Sequence, residues 1–198
     1  RAVLLYHVER MNEESANALL KVMEEPPEGV LFLLTADSLA SVLPTIRSRC
    51  VSFAVAPVSP ADCTRYCAAQ GVDKKTAALY SELFDGHIGT VLAVARDEAR
   101  AAQVEKALEL ARAAAARDSY TAAVLLAAYE KDKAAAAALL TDFRAVAAAG
   151  LRSSPRAPVQ GTQARQAVRL ADAALQRLGA QVNPKVVLSV FAAKLRTL

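Results

Sequence analysis

Aromatic residues make up only 5% of this 198-residue sequence, and tryptophan is absent. Proteins that hold single-stranded nucleic acid without sequence preference rely on stacking bases against aromatic rings, so the composition argues against a stand-alone protein of that kind. No helix-turn-helix signature is evident either. Cysteine is scarce, at three residues, and no signal-peptide pattern opens the chain. Both fit a reducing, cytoplasmic setting. Cys63 and Cys67 stand at i, i+4 spacing with no third cysteine or histidine beside them. Two ligands do not complete a zinc site, so the expectation is core thiols. The uncharged apolar run of about 18–20 residues that a membrane crossing needs is also missing. The Ala-rich stretch ending at Leu140 is short and flanked by Lys133 and Asp142. Neither metal nor membrane is expected, and no cofactor in this segment.

Hydrophobic residues are plentiful, at 54%, enough to build the core of one or two domains. The alanine surplus predicts helices packed closely through small side chains. The net charge of +4 is mild but unevenly placed. From Lys131 onward, eleven cations from Lys131 to Arg196 face only Asp132, Asp142 and Asp172. That basic third either meets phosphate or an acidic partner, or is the solvated face of several helices.

The chain is organised around residues 17–50. Asn12 is a helix N-cap, with Glu13 and Glu14 set against the positive end of the helix dipole. Ala16, Leu19, Leu20 and Met23 recur on one helical face. Pro26 and Pro27 end the helix, and Gly29 turns the chain into the apolar run Val30–Leu34. A run that is polar on neither face predicts a parallel strand covered by helices on both sides. A first strand is expected over residues 2–6, a loop over His7–Met11, and a short helix over 38–42 broken by Pro44. A further apolar strand is expected over Val51–Val55. Ala56-Pro57-Val58-Ser59-Pro60 reads as a domain junction, with Ser59 capping and Pro60 opening the next helix.

After this junction the pattern is helical throughout, with helices near 60–70, 74–85 and 88–97, then 100–117, 119–130 and 134–150. Gly150 to Gly161, holding Pro155 and Pro158, is the expected most flexible stretch. Ala164, Ala167, Val168, Ala171, Leu175 and Leu178 then form a stripe. Asn183-Pro184 caps a final helix that buries Val187, Leu188, Phe191 and Leu195.

NALLKVMEEPP (17–27) followed by LPTIRSRC (43–50) resembles the clamp-loader branch of the AAA+ family, and within it the delta-prime group of bacterial DNA polymerase III subunits. VRLADAALQRLGAQVNPKVVLSVFAAKL (168–195) is similar to the collar of the same group. The likeness is strong over residues 2–57 and 165–195. It implies a mainly α chain with a partial α/β portion. Residues 1–57 would be the C-terminal part of an AAA+ α/β domain, 58–98 a three-helix lid, and 99–198 a helical collar for oligomerisation. A start inside a strand, with too few strands for a whole nucleotide-binding domain, fits an N-terminally truncated fragment.

The resemblance also assigns residues. Active relatives carry an Asp-Glu pair where Tyr6 and His7 stand here, and those carboxylates serve the Mg²⁺ ion and the attacking water. Tyr6 is neutral and His7 a poor magnesium ligand, so that position is degenerate. Glu9 is acidic but displaced, and is expected to point elsewhere. A histidine hydrogen-bonded to main chain is the expectation for His7. Gly89 replaces the arginine with which active relatives contact their own nucleotide. Thr35 resembles their γ-phosphate-sensing residue, although a threonine at a strand end is common for local reasons. In the motif Ser48-Arg49-Cys50, the resemblance makes Arg49 an arginine finger for the ATP of a neighbouring subunit, with Arg47 close by. The alternative for Arg49 is an ion pair on its own surface.

The implied function is a non-catalytic clamp-loader subunit without ATPase activity of its own, part of the DNA polymerase III holoenzyme. Its implied partners are gamma/tau and delta subunits and, through the complex, the sliding clamp and primed DNA. An ATP-hydrolysing gamma/tau-type subunit is the alternative. A helical DNA-binding or scaffold protein is a second.

Overall fold

A computed structural model describes residues 1–56 and 58–198, and the chain divides into two compact units, 1–56 and 57–198. Pro57, in the expected junction, lies outside the described residues.

The first unit is a single strand–helix–strand turn. Strand β1 (Ala2–Leu5) pairs in parallel with β2 (Leu31–Leu34), with Ala2 opposite Leu31 and Leu5 opposite Leu34. Between them run a 3-10 turn, Val8–Arg10, and helix α1 (Glu13–Glu24). Asn12 Oδ1 accepts the Ser15 N–H at 2.8 Å, closing the N-terminus as its residue type predicts. Leu5 and Leu34 face α1 and join Val8, Ala16, Val42 and Ile46 in a small core. The opposite sheet face, with Leu4, Leu31 and Leu33, stays exposed in this unit, so the expected cover on both sides is found on one.

Two other expectations for this unit change. Val51–Val55 forms no strand, and Val51, Phe53 and Val55 are largely exposed. Strand character needs a hydrogen-bonding neighbour, and no such partner pairs with it among the described residues. Pro44 does not merely break a helix. A 3-10 turn covers Leu39–Ser41, and Pro44 then opens the one-turn helix α2 (Pro44–Arg47), as proline can at a first helical position.

The second unit is all helix: α3 (Pro60–Ala69), α4 (Lys74–Leu83), α5 (Ile88–Arg96), α6 (Glu98–Ala115), α7 (Ser119–Ala127), α8 (Lys133–Leu151), α9 (Gly161–Gly179) and α10 (Pro184–Leu195). Oxygens of Ser59, Asp73, Asp97, Asp118, Asp132 and Asn183 cap six of these. A continuous apolar core runs from Cys63 to Leu198, with Phe143 and Phe191 meeting edge to face at 5.4 Å between centroids. Helix α8 is long and apolar enough to cross a membrane by length and composition, but half of that stretch is buried inside the unit.

The stretch expected to be most flexible is pinned instead. Glu82, at the end of α4, accepts Ser154 Oγ at 2.6 Å and Arg156 Nε at 2.9 Å, while Arg152 reaches the main-chain oxygen of Leu83. Ala157 and Val159 are buried beneath this clasp. Gly150 makes the fit possible: a Cβ there would stand 1.9 Å from the Val159 carbonyl oxygen.

Candidate functional site

At the C-terminal edge of the two-stranded sheet, Thr35 ties the strand ends together. Its N–H donates to Leu5 O at 2.9 Å, its carbonyl accepts the Val8 N–H at 3.0 Å, and its hydroxyl accepts the His7 N–H at 3.3 Å. Thr35 is therefore engaged in local structure. His7 adopts left-handed backbone geometry (φ 55°) that only a minority of non-glycine residues take. Its Nδ1 lies 3.1 Å from Glu9 Oε1 and 3.7 Å from Asp37 Oδ1. The expectation of a main-chain partner for the His7 ring gives way to a carboxylate, because the 3-10 turn folds Glu9 back onto the ring. The main-chain N–H of Glu9 itself, and then His7, hold the Glu9 carboxyl below the usual range against the opposing effect of burial. Tyr6 is 68% exposed and makes no side-chain hydrogen bond among the described residues.

Tyr6 and His7 do not supply the paired carboxylates of a magnesium–nucleotide centre. At those two positions stand a phenol and an imidazole whose Nδ1 already lies against Glu9. Gly89, in the second unit, lies in the first turn of α5 and carries no side chain at all; a Cβ there would meet nothing within 4 Å. His87, just before α5, points Nδ1 at the Phe84 carbonyl at 2.8 Å.

Arg49 lies just past α2, which is anchored by buried Ile46. Its guanidinium donates Nη1 to the Thr45 carbonyl at 3.1 Å and Nη2 to Glu24 Oε1 at 2.5 Å. Ser48 Oγ bonds the same Thr45 carbonyl at 3.0 Å, while half-buried Cys50 packs on the small core and has its thiol pushed up by burial. The Arg49 and Glu24 side chains are 38% and 52% exposed. Arg47 is exposed and makes no side-chain hydrogen bond or ion pair among the described residues. The structure thus brings Tyr6, His7 and Thr35 to one strand edge and sets Arg49 against Glu24. Glu24 and Asp37 are the partners that the sequence reading missed. Neither is signalled locally, since Glu24 lies 25 residues before Arg49 and Asp37 lies 30 after His7.

Residues 1–59 match the family described as DNA polymerase III, delta subunit. This segment is similar to that family. Over 66 residues the chain is 44% identical to DNA polymerase III subunit delta' of Yersinia pestis, covering 33% of this chain and 19% of that protein. Over 50 residues it is 54% identical to the subunit of the same name from Haemophilus influenzae, covering 25% and 15%. These clamp-loader matches thus span less than a fifth of the relatives' own length. A solved structure, a DNA polymerase III gamma subunit-related protein from Thermotoga maritima, superposes with a TM-score of 0.56 at 22% identity, covering all of this chain and 72% of that one. At that identity the likeness speaks to fold alone.

Proposed function

We propose that this chain is a non-catalytic clamp-loader subunit of the delta-prime kind, which presents Arg49 to ATP bound on a neighbouring subunit. The observation that carries the reading is the setting of Arg49. It lies within the family-matched segment, in the motif Ser48-Arg49-Cys50, and its only charged partner among the described residues is the exposed carboxylate of Glu24. An exposed ion pair is worth about 0–1 kcal/mol, whereas hydrogen bonds to charged groups contribute about 1.5–3 kcal/mol each. A phosphate brought to that surface therefore outcompetes Glu24. The planar fork can engage two phosphate oxygens at once and stabilise charge that spreads in the transition state.

The same reading leaves the subunit without ATP chemistry of its own, because Tyr6, His7 and Gly89 replace the groups that would do it. That substitution pattern favours the delta-prime reading over a gamma/tau-type ATPase. Residues 58–98 would then serve as the lid and 99–198 as the collar that joins the other subunits. Gamma/tau and delta subunits are the direct partners, with the sliding clamp and primed DNA engaged through the complex in the cytoplasm, as part of the polymerase holoenzyme. Arg49→Ala in a reconstituted loader is expected to lower ATP turnover by up to about 10³-fold while the chain stays folded. Unchanged turnover refutes the role.

A further inference from the structure

The basic third of the chain is not uniformly solvated. Arg144, Arg152, Arg156 and Lys185 find acids in Asp172, Asp85, Glu82 and Glu130. From Gly161 to Leu198, however, six cations stand against one acid, Asp172, which Arg144 already occupies. Arg165, Arg169, Lys194 and Arg196 are exposed, and their side chains make no hydrogen bond or ion pair among the described residues. Arg165 and Arg169 are also i, i+4 neighbours, a like-charge spacing that destabilises an isolated helix unless an anion relieves it.

Two of these cations, Arg169 and Lys194, line a cleft where α9, α10 and the end of α6 converge. Two hollows of about 290 and 540 Å³ adjoin there and share Gln166, Thr197 and Leu198 as walls. Arg169 and Lys194 line the smaller, and Arg117 lines the larger while donating Nε to the Leu198 main-chain oxygen at 3.1 Å. Leu170 and Leu198 supply an apolar floor, and exposed Val190 lies one turn along α10 from Lys194. No lining residue is aromatic.

We propose that this cleft binds an acidic peptide segment carrying an apolar anchor. Clustered guanidinium groups recognise carboxylates through their fork, and the leucine floor gives an apolar side chain somewhere to go. The lack of an aromatic platform disfavours single-stranded nucleic acid, for which base stacking contributes much of the affinity.

The test is fluorescence anisotropy on the 198-residue chain, using a labelled nonapeptide of three Glu-Glu-Leu repeats and, in parallel, a nine-nucleotide oligothymidine. The peptide is expected to bind more tightly than the oligonucleotide, with affinity falling as salt rises. Arg169→Glu with Lys194→Glu should weaken peptide binding about tenfold or more. Arg177→Glu with Lys185→Glu makes the same charge change about 12 Å or more along the helices, beyond the screening length of about 8–10 Å, and should leave binding within about twofold. Independently of any variant, the peptide should shift wild-type amide resonances of residues 162–170 and 194–198 and spare those of 133–151. Oligothymidine binding as tight as the peptide overturns the proposal, as does equal weakening by the distant pair or an unshifted cleft in the spectrum.

Discussion

Replacing Asp142 with alanine removes the one buried carboxylate among the described residues of the helical unit. Asp142 is 2% exposed, accepts both terminal nitrogens of Arg100, and accepts Gln103 Nε2 at 2.8 Å, tying α6 to α8. Removing one member of a fully buried pair costs about 3–5 kcal/mol, because the other charge is stranded. Arg100 is 31% exposed on its side chain, so it can swing its head to water and recover part of that loss. Gln103 loses its bond as well, at roughly 1 kcal/mol. The expectation is a loss of about 2–4 kcal/mol, or a fall in Tm of about 10 °C for a unit of this size. Thermal and urea unfolding by circular dichroism read it directly. Asp142→Leu combined with Arg100→Met removes both charges, and should recover most of the stability because a well-packed apolar pair replaces a buried ionic one. A loss below about 1 kcal/mol for Asp142→Ala, or a double variant as unstable as the single one, refutes the view that a stranded charge sets the penalty.

Thiol labelling and acid titration give two further expectations. Burial first, and then neighbouring Cys63, push the Cys67 thiol up to about 11, so near pH 8 only about one molecule in a thousand carries its thiolate. With Cys63 also fully buried, the native chain should expose at most Cys50 to a thiol reagent, and three thiols only in denaturant. Fast labelling of all three in the native state contradicts this packing. The helix-capping carboxylates Asp118 and Asp73 are held below the usual range, Asp118 by the hydroxyl and N–H of Thr121 and Asp73 by the N–H and hydroxyl of Thr76. Their contribution is therefore complete above the ordinary carboxylate range and is lost as pH falls through the lowered folded-state values. Asp118→Asn keeps an acceptor for Thr121 but cannot titrate, so its Tm should fall less steeply on acidification than that of the parent. A parallel fall contradicts the assignment.

Helix ends were the most legible feature of the chain because they depend on one or two neighbouring residues. Asn12, Ser59, Asp118 and Asn183 all cap where their types predict. What failed depends on partners far away in sequence. Val51–Val55 has the composition of a strand, but composition cannot supply the second strand that would pair with it. The glycines and prolines of 150–161 read as flexibility, while the bonds that fix the loop come from Glu82, 72 and 74 residues upstream of Ser154 and Arg156. The candidate site divides in the same way. Residue types at Tyr6, His7 and Gly89 alone carried the expectation of degenerate ATPase positions. The ion pair between Arg49 and Glu24 emerges only when the end of α1 and the end of α2 are placed side by side.

Arg49 acts either on its own surface or on a neighbour's nucleotide, and turnover separates the two. ATP turnover of the reconstituted loader should be compared for Arg49→Ala, Arg49→Lys and Glu24→Gln. A finger acting in trans gives a large loss with alanine, a substantial loss with lysine because charge without the fork is insufficient, and no loss with Glu24→Gln. Equal effects of Arg49→Ala and Glu24→Gln would reduce Arg49 to a local ion pair and contradict a role in trans.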